Sequence, residues 1–357
     1  MNHATAKNLL IVTALSASFA VFLSYTKVSN DQPLDDQVAA TAFLEGLEDE
    51  RPYIGKISLT KGENAFVLEK DNGQWQIASH YRYPADGAVV NSFLDNLENT
   101  QKLKQRSNKP SLYHRMNLAD QATSVRLETA AGDEIFAFDL GKVGKPLDDR
   151  ATRFARQTSE TQAWLISEPD LPDTSLMSWV NDTILTLDDS RVWRVSVTPT
   201  DGQNMQIVRS DNEFSLQNLA EDEEISDSYK LDALANSMNA VRFDDVKPDA
   251  GDSEFDTTIS VTTYDGLMIE GKIKFADDGA WLHLRAAEGT AAEVDQMPET
   301  ISGVPENLTN EIALMNNRFE GWLFRLPSYA QADVQVDRAD LVTLKLNEET
   351  NQAENPQ

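Results

Sequence analysis

Phe66-Val67-Leu68-Glu69-Lys70-Asp71-Asn72-Gly73-Gln74-Trp75-Gln76-Ile77-Ala78 is a β-hairpin written in sequence. Two β-rich runs, Phe66–Lys70 and Trp75–Ala78, flank Asp71-Asn72-Gly73, and Asn-Gly tolerates the two positive φ angles of a tight hairpin turn. Upstream, Ile57–Thr60 is a further short β-like run. Downstream, Asp86 stands near the start of a helix with Val89, Val90, Phe93, Leu94 and Leu97 on its apolar side. An acid in the first turn suits the helix dipole. Strands follow at Ser124–Thr129, Glu134–Leu140, Arg153–Arg156 and Ala163–Ile166, with Ala131-Gly132-Asp133 as a turn.

The same order then recurs. Val192–Thr198, Gln206–Arg209 and Glu213–Gln217 read as strands, and Leu231, Leu234, Met238 and Val241 mark one face of a helix. Thr257–Thr263, Met268–Phe275 and Trp281–Ala286 are strands again, with Tyr264-Asp265-Gly266 as the turn. Val195 falls on Ile57, Phe214 on Trp75, Gly266 on Gly132 and Leu282 on Phe154, at an offset drifting from 138 to 128 residues. Agreement of order, type and spacing is the mark of a tandem duplication. Hairpins interrupted by a single helix predict antiparallel sheets, so the fold class is α+β: two tandem repeated modules, each a mainly antiparallel sheet with one covering helix.

The rest of the chain is organised around these modules. Residues 1–27 read as an N-terminal membrane anchor. Residues 28–52 read as a linker and a short amphipathic helix through Ala40, Phe43, Leu44 and Leu47. The first module takes 53–170, a connecting helix 171–190, and the second module 191–290. In the connecting helix, Leu176, Trp179, Val180, Ile184 and Leu187 would face inward. A C-terminal helix (Asn310–Phe319), an aromatic segment Gly321–Pro327 and a last strand near Leu341–Leu346 fill 291–346, and a polar tail takes 347–357.

Leu9–Tyr25 carries no charge, and seventeen residues rising ~1.5 Å each just span a bilayer core. Lys7 precedes it, while Lys27 and then Asp31, Asp35 and Asp36 follow, which puts the N-terminus in the cytoplasm and the body outside. A cleavable signal peptide is the rival reading. Cutting after Ser18-Phe19-Ala20, however, would leave Val21-Phe22-Leu23 as an apolar terminus. The expected location is therefore a bacterial inner membrane, single-pass through residues 9–25, with the soluble body in the periplasm.

Charge narrows the partners. Fifty-nine acids against 31 Lys and Arg leave a net charge of −28. Such a surface repels phosphate backbones, so no nucleic-acid partner is expected. The chain has no cysteine, which excludes disulfides, thiolate nucleophiles and Cys-based metal sites.

Several short motifs, taken in order, resemble those of the bacterial domain-of-unknown-function family forty-three-forty. They are Phe66–Lys70 with Gly73 and Trp75, Tyr83-Pro84-Ala85-Asp86, Arg153-Phe154-Ala155-Arg156 before Trp164-Leu165-Ile166, Trp179 ahead of Val192–Val195, and Gly321-Trp322 with Arg325–Tyr329. The resemblance runs from about Leu44 to Leu346. It implies a membrane-anchored periplasmic protein, often encoded beside a gliding-motility-type ABC transporter. The implied partners are an ABC permease, its ATPase and an extracytoplasmic companion. The family has no recognised catalytic residues to carry over.

Residue chemistry points the same way. Ser58-Leu59-Thr60-Lys61 has the Ser-x-x-Lys spacing of penicillin-recognising enzymes, but that chemistry needs a helical turn and this run reads as a strand. His3, His80, His114 and His283 lack metal-type spacing. Acidic runs such as Glu221-Asp222-Glu223-Glu224 lack the alternation and central Gly of an EF-hand loop. Gly141–Lys145 is too short for a phosphate loop. No catalytic, cofactor or metal residue is therefore assigned, and the expectation is a non-enzyme.

Two clusters remain as a partner surface. Asn99–Ala119 has no acid yet contains Lys102, Lys104, Arg106, Lys109 and Arg115. Trp322, Arg325 and Tyr329 form the second, of residue types that interfaces favour; buried packing against the second module is its plainer explanation. The expected function is an accessory or interaction subunit of an envelope ABC-type transporter. The alternatives are an envelope scaffold without a transporter, or an unrecognised hydrolase.

Overall fold

Ile57 lies where two ladders meet, facing Leu68 on one side and Leu127 on the other. A computed structural model describes residues 41–210, 213–293, 296–298 and 300–345, and the chain within them is α+β with mostly antiparallel sheets. The anchor expected at Leu9–Tyr25 and the tail after residue 345 lie outside the described residues. Among the described residues, no helix is long and apolar enough to cross a membrane. The chain divides into two compact units. The first holds residues up to Asn72 together with Val90–Thr174, and the second holds Gly73–Val89 together with Ser175 onward.

In chain order the first part contains β1 (Thr41–Ala42), α1 (Leu47–Glu50), β2 (Ile54–Lys61), β3 (Asn64–Asp71), β4 (Gln74–Ile77), β5 (Tyr83–Pro84) and α2 (Gly87–Glu98). Then come β6 (Gln101–Gln105), β7 (Thr123–Thr129), β8 (Glu134–Val143), β9 (Thr152–Gln157) and β10 (Trp164–Ser167). The sheet of the first unit runs β1-β6-β10-β9-β8-β7-β2-β3. Asn72 and Gly73 both have positive φ, 48° and 85°, as the hairpin reading requires. In α2, Val90, Phe93, Leu94 and Leu97 are buried at the i, i+3, i+4, i+7 spacing of one helix face. Asp86 accepts a hydrogen bond from the Ala88 amide at 2.8 Å, so the acid read near the helix start stands one residue before the first turn and caps it. Arg51 joins Asp95 and Glu98 on this helix.

The second part continues with β11 (Thr183–Thr186), β12 (Val192–Pro199), β13 (Met205–Ser210), β14 (Glu213–Leu216), β15 (Glu223–Ile225), α3 (Ser228–Asn236), β16 (Ala240–Arg242) and β17 (Asp245–Pro248). It ends with β18 (Thr257–Thr263), β19 (Leu267–Ala276), β20 (Gly279–Glu288), α4 (Leu308–Phe319), β21 (Trp322–Arg325), α5 (Ser328–Val334), α6 (Arg338–Leu341) and β22 (Val342–Leu344). Its main sheet runs β14-β13-β12-β18-β19-β20-β21-β17, and two small sheets pair β11 with β16 and β15 with β22. In β19, Leu267, Ile269, Gly271 and Ile273 are buried and alternate with half-exposed Met268, Glu270 and Lys272. Met238, just after α3, lies against Gly271, where a Cβ would come within 2.3 Å of its Cε.

Among the described residues, two expected helices do not form as read; Ala40, the first apolar position of one of them, lies outside the described residues. Thr41-Ala42 pairs with Gln101-Lys102 as an edge strand, and Gly46 at φ 84° admits only the single turn of α1. Phe43 and Leu44 are both buried although adjacent. In the expected connecting helix, a short 3-10 turn at Leu176–Ser178 precedes strand β11. The buried neighbours Trp179-Val180 and Ile184-Leu185 imitate helical spacing, but β-branched Thr183, Ile184 and Thr186 favour the strand. Val241 likewise belongs to β16 rather than to the helix before it.

Candidate functional site

The basic strip starts at β6, and a register shift divides it. Leu165 faces Lys104 across the ladder, yet the next residue, Ile166, faces Lys102. Directly opposed residues share a face, and successive residues of β10 alternate, so the bulge sends Lys102 and Lys104 to opposite faces. Lys102 is only 9% exposed. Its ammonium lies 5.4 Å from the Trp164 ring centroid and 3.1 Å from a Glu45 carboxylate oxygen. It is a packed side chain rather than an available charge.

On the other face, Phe154 of β9 opposes Leu165, and the Arg106 guanidinium lies 5.7 Å from the Phe154 ring. The segment after β6 returns as a 3-10 turn, Pro110–Met116, opened by a proline that suits a first helical position. Its Tyr113 and Met116 pack with Leu118 and Ala163, and Phe154 lies against them. Tyr113 donates its hydroxyl to the Thr161 carbonyl at 2.5 Å, which fixes the turn on the sheet. Arg156, above the Tyr113 ring, is engaged with Asp139 and the Glu160 carbonyl.

Arg106, Lys109 and Arg115 are therefore the exposed cations of this face, and none has an ion pair among the described residues. Exposed cations beside a small apolar cluster, one of them over the Phe154 ring and none with an ion pair among the described residues, can hold a carboxylate or another anionic partner group.

The other predicted cluster is built differently. Trp322 is half-buried, edge-on to Tyr83 at 4.9 Å between centroids. Arg325 donates to Asp244 at 2.6 Å and approaches Asp245 at 3.5 Å, so packing within the second unit accounts for both residues. Tyr329, in α5, is 66% exposed. Ser58 and Lys61 stand three apart on β2 and so face opposite ways, as the strand reading demanded.

Two features had no local signal. Arg191, 3% exposed at its side chain, is held by Asp265 and Glu311, residues distant from it in sequence. Beside α4, a groove of about 470 Å³ is lined by Ile184, Asn310, Leu314, Met315 and Arg318, and Arg318 donates to the Ile184 carbonyl.

The family model described as "Domain of unknown function (DUF4340)" matches residues 75–257. The chain belongs to this family. The DUF4340 match is shorter than the Leu44–Leu346 span read from the motifs, yet it holds Arg106, Lys109, Arg115 and both strands that carry the basic face, β6 and β9. Trp322, Arg325 and Tyr329 fall outside the DUF4340 stretch. No curated protein matches the chain.

Proposed function

We propose that the chain is a membrane-anchored, non-enzymatic interaction subunit of the bacterial envelope, its body in the periplasm, serving an ABC-type permease and ATPase. The observation that carries the interaction role is the face of Arg106, Lys109 and Arg115, three cations without ion pairs among the described residues of a chain with net charge −28. Elsewhere in this acidic chain, arginines such as Arg51, Arg153 and Arg191 are paired with acids. The uncharged run Leu9–Tyr25 supports the anchor, and the family resemblance supports the transporter.

The test is affinity capture of the tagged full-length chain from gently solubilised membranes. A co-purifying permease and ATPase, lost on combined Arg106→Glu, Lys109→Glu and Arg115→Glu, is the expected outcome. Capture of wall components alone would remove the transporter from the proposal, and capture unchanged by the triple variant would remove the basic face.

A tandem duplication belongs to the same reading. Strand order supports it: β3-β2-β7-β8-β9-β10-β6 in the first unit corresponds, element for element, to β13-β12-β18-β19-β20-β21-β17 in the second. Ile57 opposes Leu68 and Leu127 as Val195 opposes Ile207 and Val261. Leu282 opposes Ile273 as Ala155 opposes Leu140, one residue from the position the sequence offset suggests. A crystal structure whose two sheets superpose best only with permuted strands would reject the duplication.

A further inference from the structure

The core face of the first unit is open at one end. Leu59, Thr123 and Leu140 lie on that face, because Thr123 opposes both Lys61 and Leu140, and Lys61 is two residues from Leu59 on β2. The segment after β10, Pro169 to Thr174, passes over this end and leaves a cavity of about 300 Å³. The segment is pinned: the Glu168 amide donates to the Ala151 carbonyl at 2.9 Å, and Asn96 donates to the Asp170 carbonyl at 2.6 Å. Pro169 and Pro172 stiffen it further.

The cavity combines an apolar floor with a polar mouth. Leu59 and Leu140, 2% and 5% exposed, form the floor. Around the mouth stand Lys61, Thr123 and Thr174, none of whose side-chain polar groups has a hydrogen-bond partner among the described residues. Arg153 also lines it, its guanidinium fixed by the Gly141 carbonyl at 3.0 Å and by Glu168 at 2.7 Å. Glu168 balances Arg153, and Asp173 is the acid of the lining, so Lys61 is the one cation of the lining without an ion pair among the described residues. Apolar walls with a few converging polar groups are the usual make-up of a small-ligand site, and ~300 Å³ is the small end of that range.

We propose that this cavity binds a small amphiphilic carboxylate, its short acyl tail on Leu59 and Leu140 and its carboxylate at Lys61 and Thr123. The site is separate from the basic face, because Lys61 lies on the core side of the sheet, and it does not depend on the partner proposal. Arg153, its charge met by Glu168, is a positioning residue whose hydrogen bonds to Gly141 and Glu168 hold the strand end in place.

Titration calorimetry of the full chain, kept soluble in an amphipathic polymer without detergent, tests it with octanoate as the probe. Acetate lacks the tail, and octan-1-ol lacks the charge. The expected result is saturable one-to-one binding of octanoate, about tenfold or more tighter than either control. Lys61→Glu is expected to weaken it by about tenfold or more, Lys61→Arg to restore it, and Arg126→Glu on the opposite face of β7 to leave it unchanged. Thr123→Val gives a second, isosteric variant that should also weaken binding. Absence of saturable binding, equal binding of octan-1-ol, or octanoate binding unmoved by Lys61→Glu in a chain with native near-ultraviolet dichroism would each overturn the proposal.

Discussion

Arg191 and Glu311 are joined by two parallel hydrogen bonds, Nη1 to Oε1 at 2.8 Å and Nη2 to Oε2 at 2.9 Å. Asp265 completes the clamp through Nε at 3.2 Å and Nη2 at 2.8 Å, so one guanidinium ties α4 to the β18–β19 turn. Burial alone would push the Asp265 carboxyl up, but hydrogen bonds from Arg191 and Thr263 and the Arg191 charge hold it below the ordinary value. A depressed carboxylate adds stability that is fully present above its unfolded pKa of about 4 and is lost as pH falls toward the folded value. Arg191→Ala leaves two confined carboxylates facing each other, and we expect a loss of about 3–5 kcal/mol in urea unfolding. Glu311→Ala, which keeps Asp265 on the guanidinium, should cost less. The acid-dependent component assigned to Asp265 should also disappear from the Arg191→Ala unfolding profile below pH 4.

Tyr83 gives the opposite pH signature. Its ring meets Phe243, Trp322 and Phe324 edge-on, and burial raises its phenol to about 12, against a smaller lowering by Arg318. The folded chain therefore retains a proton that the unfolded chain releases near pH 10. Stability is complete below pH 10 and falls as pH rises toward 12. Tyr83→Phe should leave unfolding at pH 7 nearly unchanged and reduce the loss between pH 10 and 12. Phenolate absorbance near 295 nm should lose one late-titrating group in the same variant.

Much of this fold was legible in the sequence because alternation along the central strands is dictated by burial on one face. Val195 and Val197 in β12, or Ile259 and Val261 in β18, announce themselves two residues apart. The misreadings fall where burial is not periodic. Trp179 and Val180 are adjacent and buried, as are Phe43 and Leu44, so a helical spacing could be drawn through segments that are turns and edge strands. The composition of the basic strip was equally plain, but its division was not. Whether Lys102 faces Trp164 or joins Lys104 depends on a single bulge between Leu165 and Ile166, and a bulge leaves no residue pattern of its own here. The Arg191 clamp joins three distant segments, and from sequence Asp265 read only as part of a turn.

That bulge predicts a contrast within the basic strip. Lys102→Ala removes a buried stem and a cation over Trp164, and we expect a loss of about 1–2 kcal/mol. Arg106→Ala, Lys109→Ala and Arg115→Ala touch exposed side chains and should each stay within about 0.5 kcal/mol of the parent. Thermal or urea unfolding of the four single variants separates the cases. A silent Lys102→Ala would mean that the bulge does not put Lys102 on the Trp164 face.

The basic face also depends on a residue that carries no charge. Gly141 in β8 lies under the 3-10 turn that holds Lys109 and Arg115 in place: a Cβ at this position would come within 2.1 Å of the Met116 carbonyl oxygen and 3.1 Å of Leu118. The obstacle is backbone on one side and a buried leucine on the other, so neither can yield cheaply. Gly141→Ala should therefore lift the Pro110–Met116 turn and part Tyr113 and Met116 from Phe154, at an overpacking cost of about 1–3 kcal/mol. Amide hydrogen exchange should quicken between Tyr113 and Leu118 while the central strands β2 and β7 keep their protection. Partner capture should weaken although every cation remains in the chain, because Arg115 and Lys109 lose the support that aligns them with Arg106. Native exchange rates at Tyr113–Leu118 in Gly141→Ala would show that the turn is not held by this close approach.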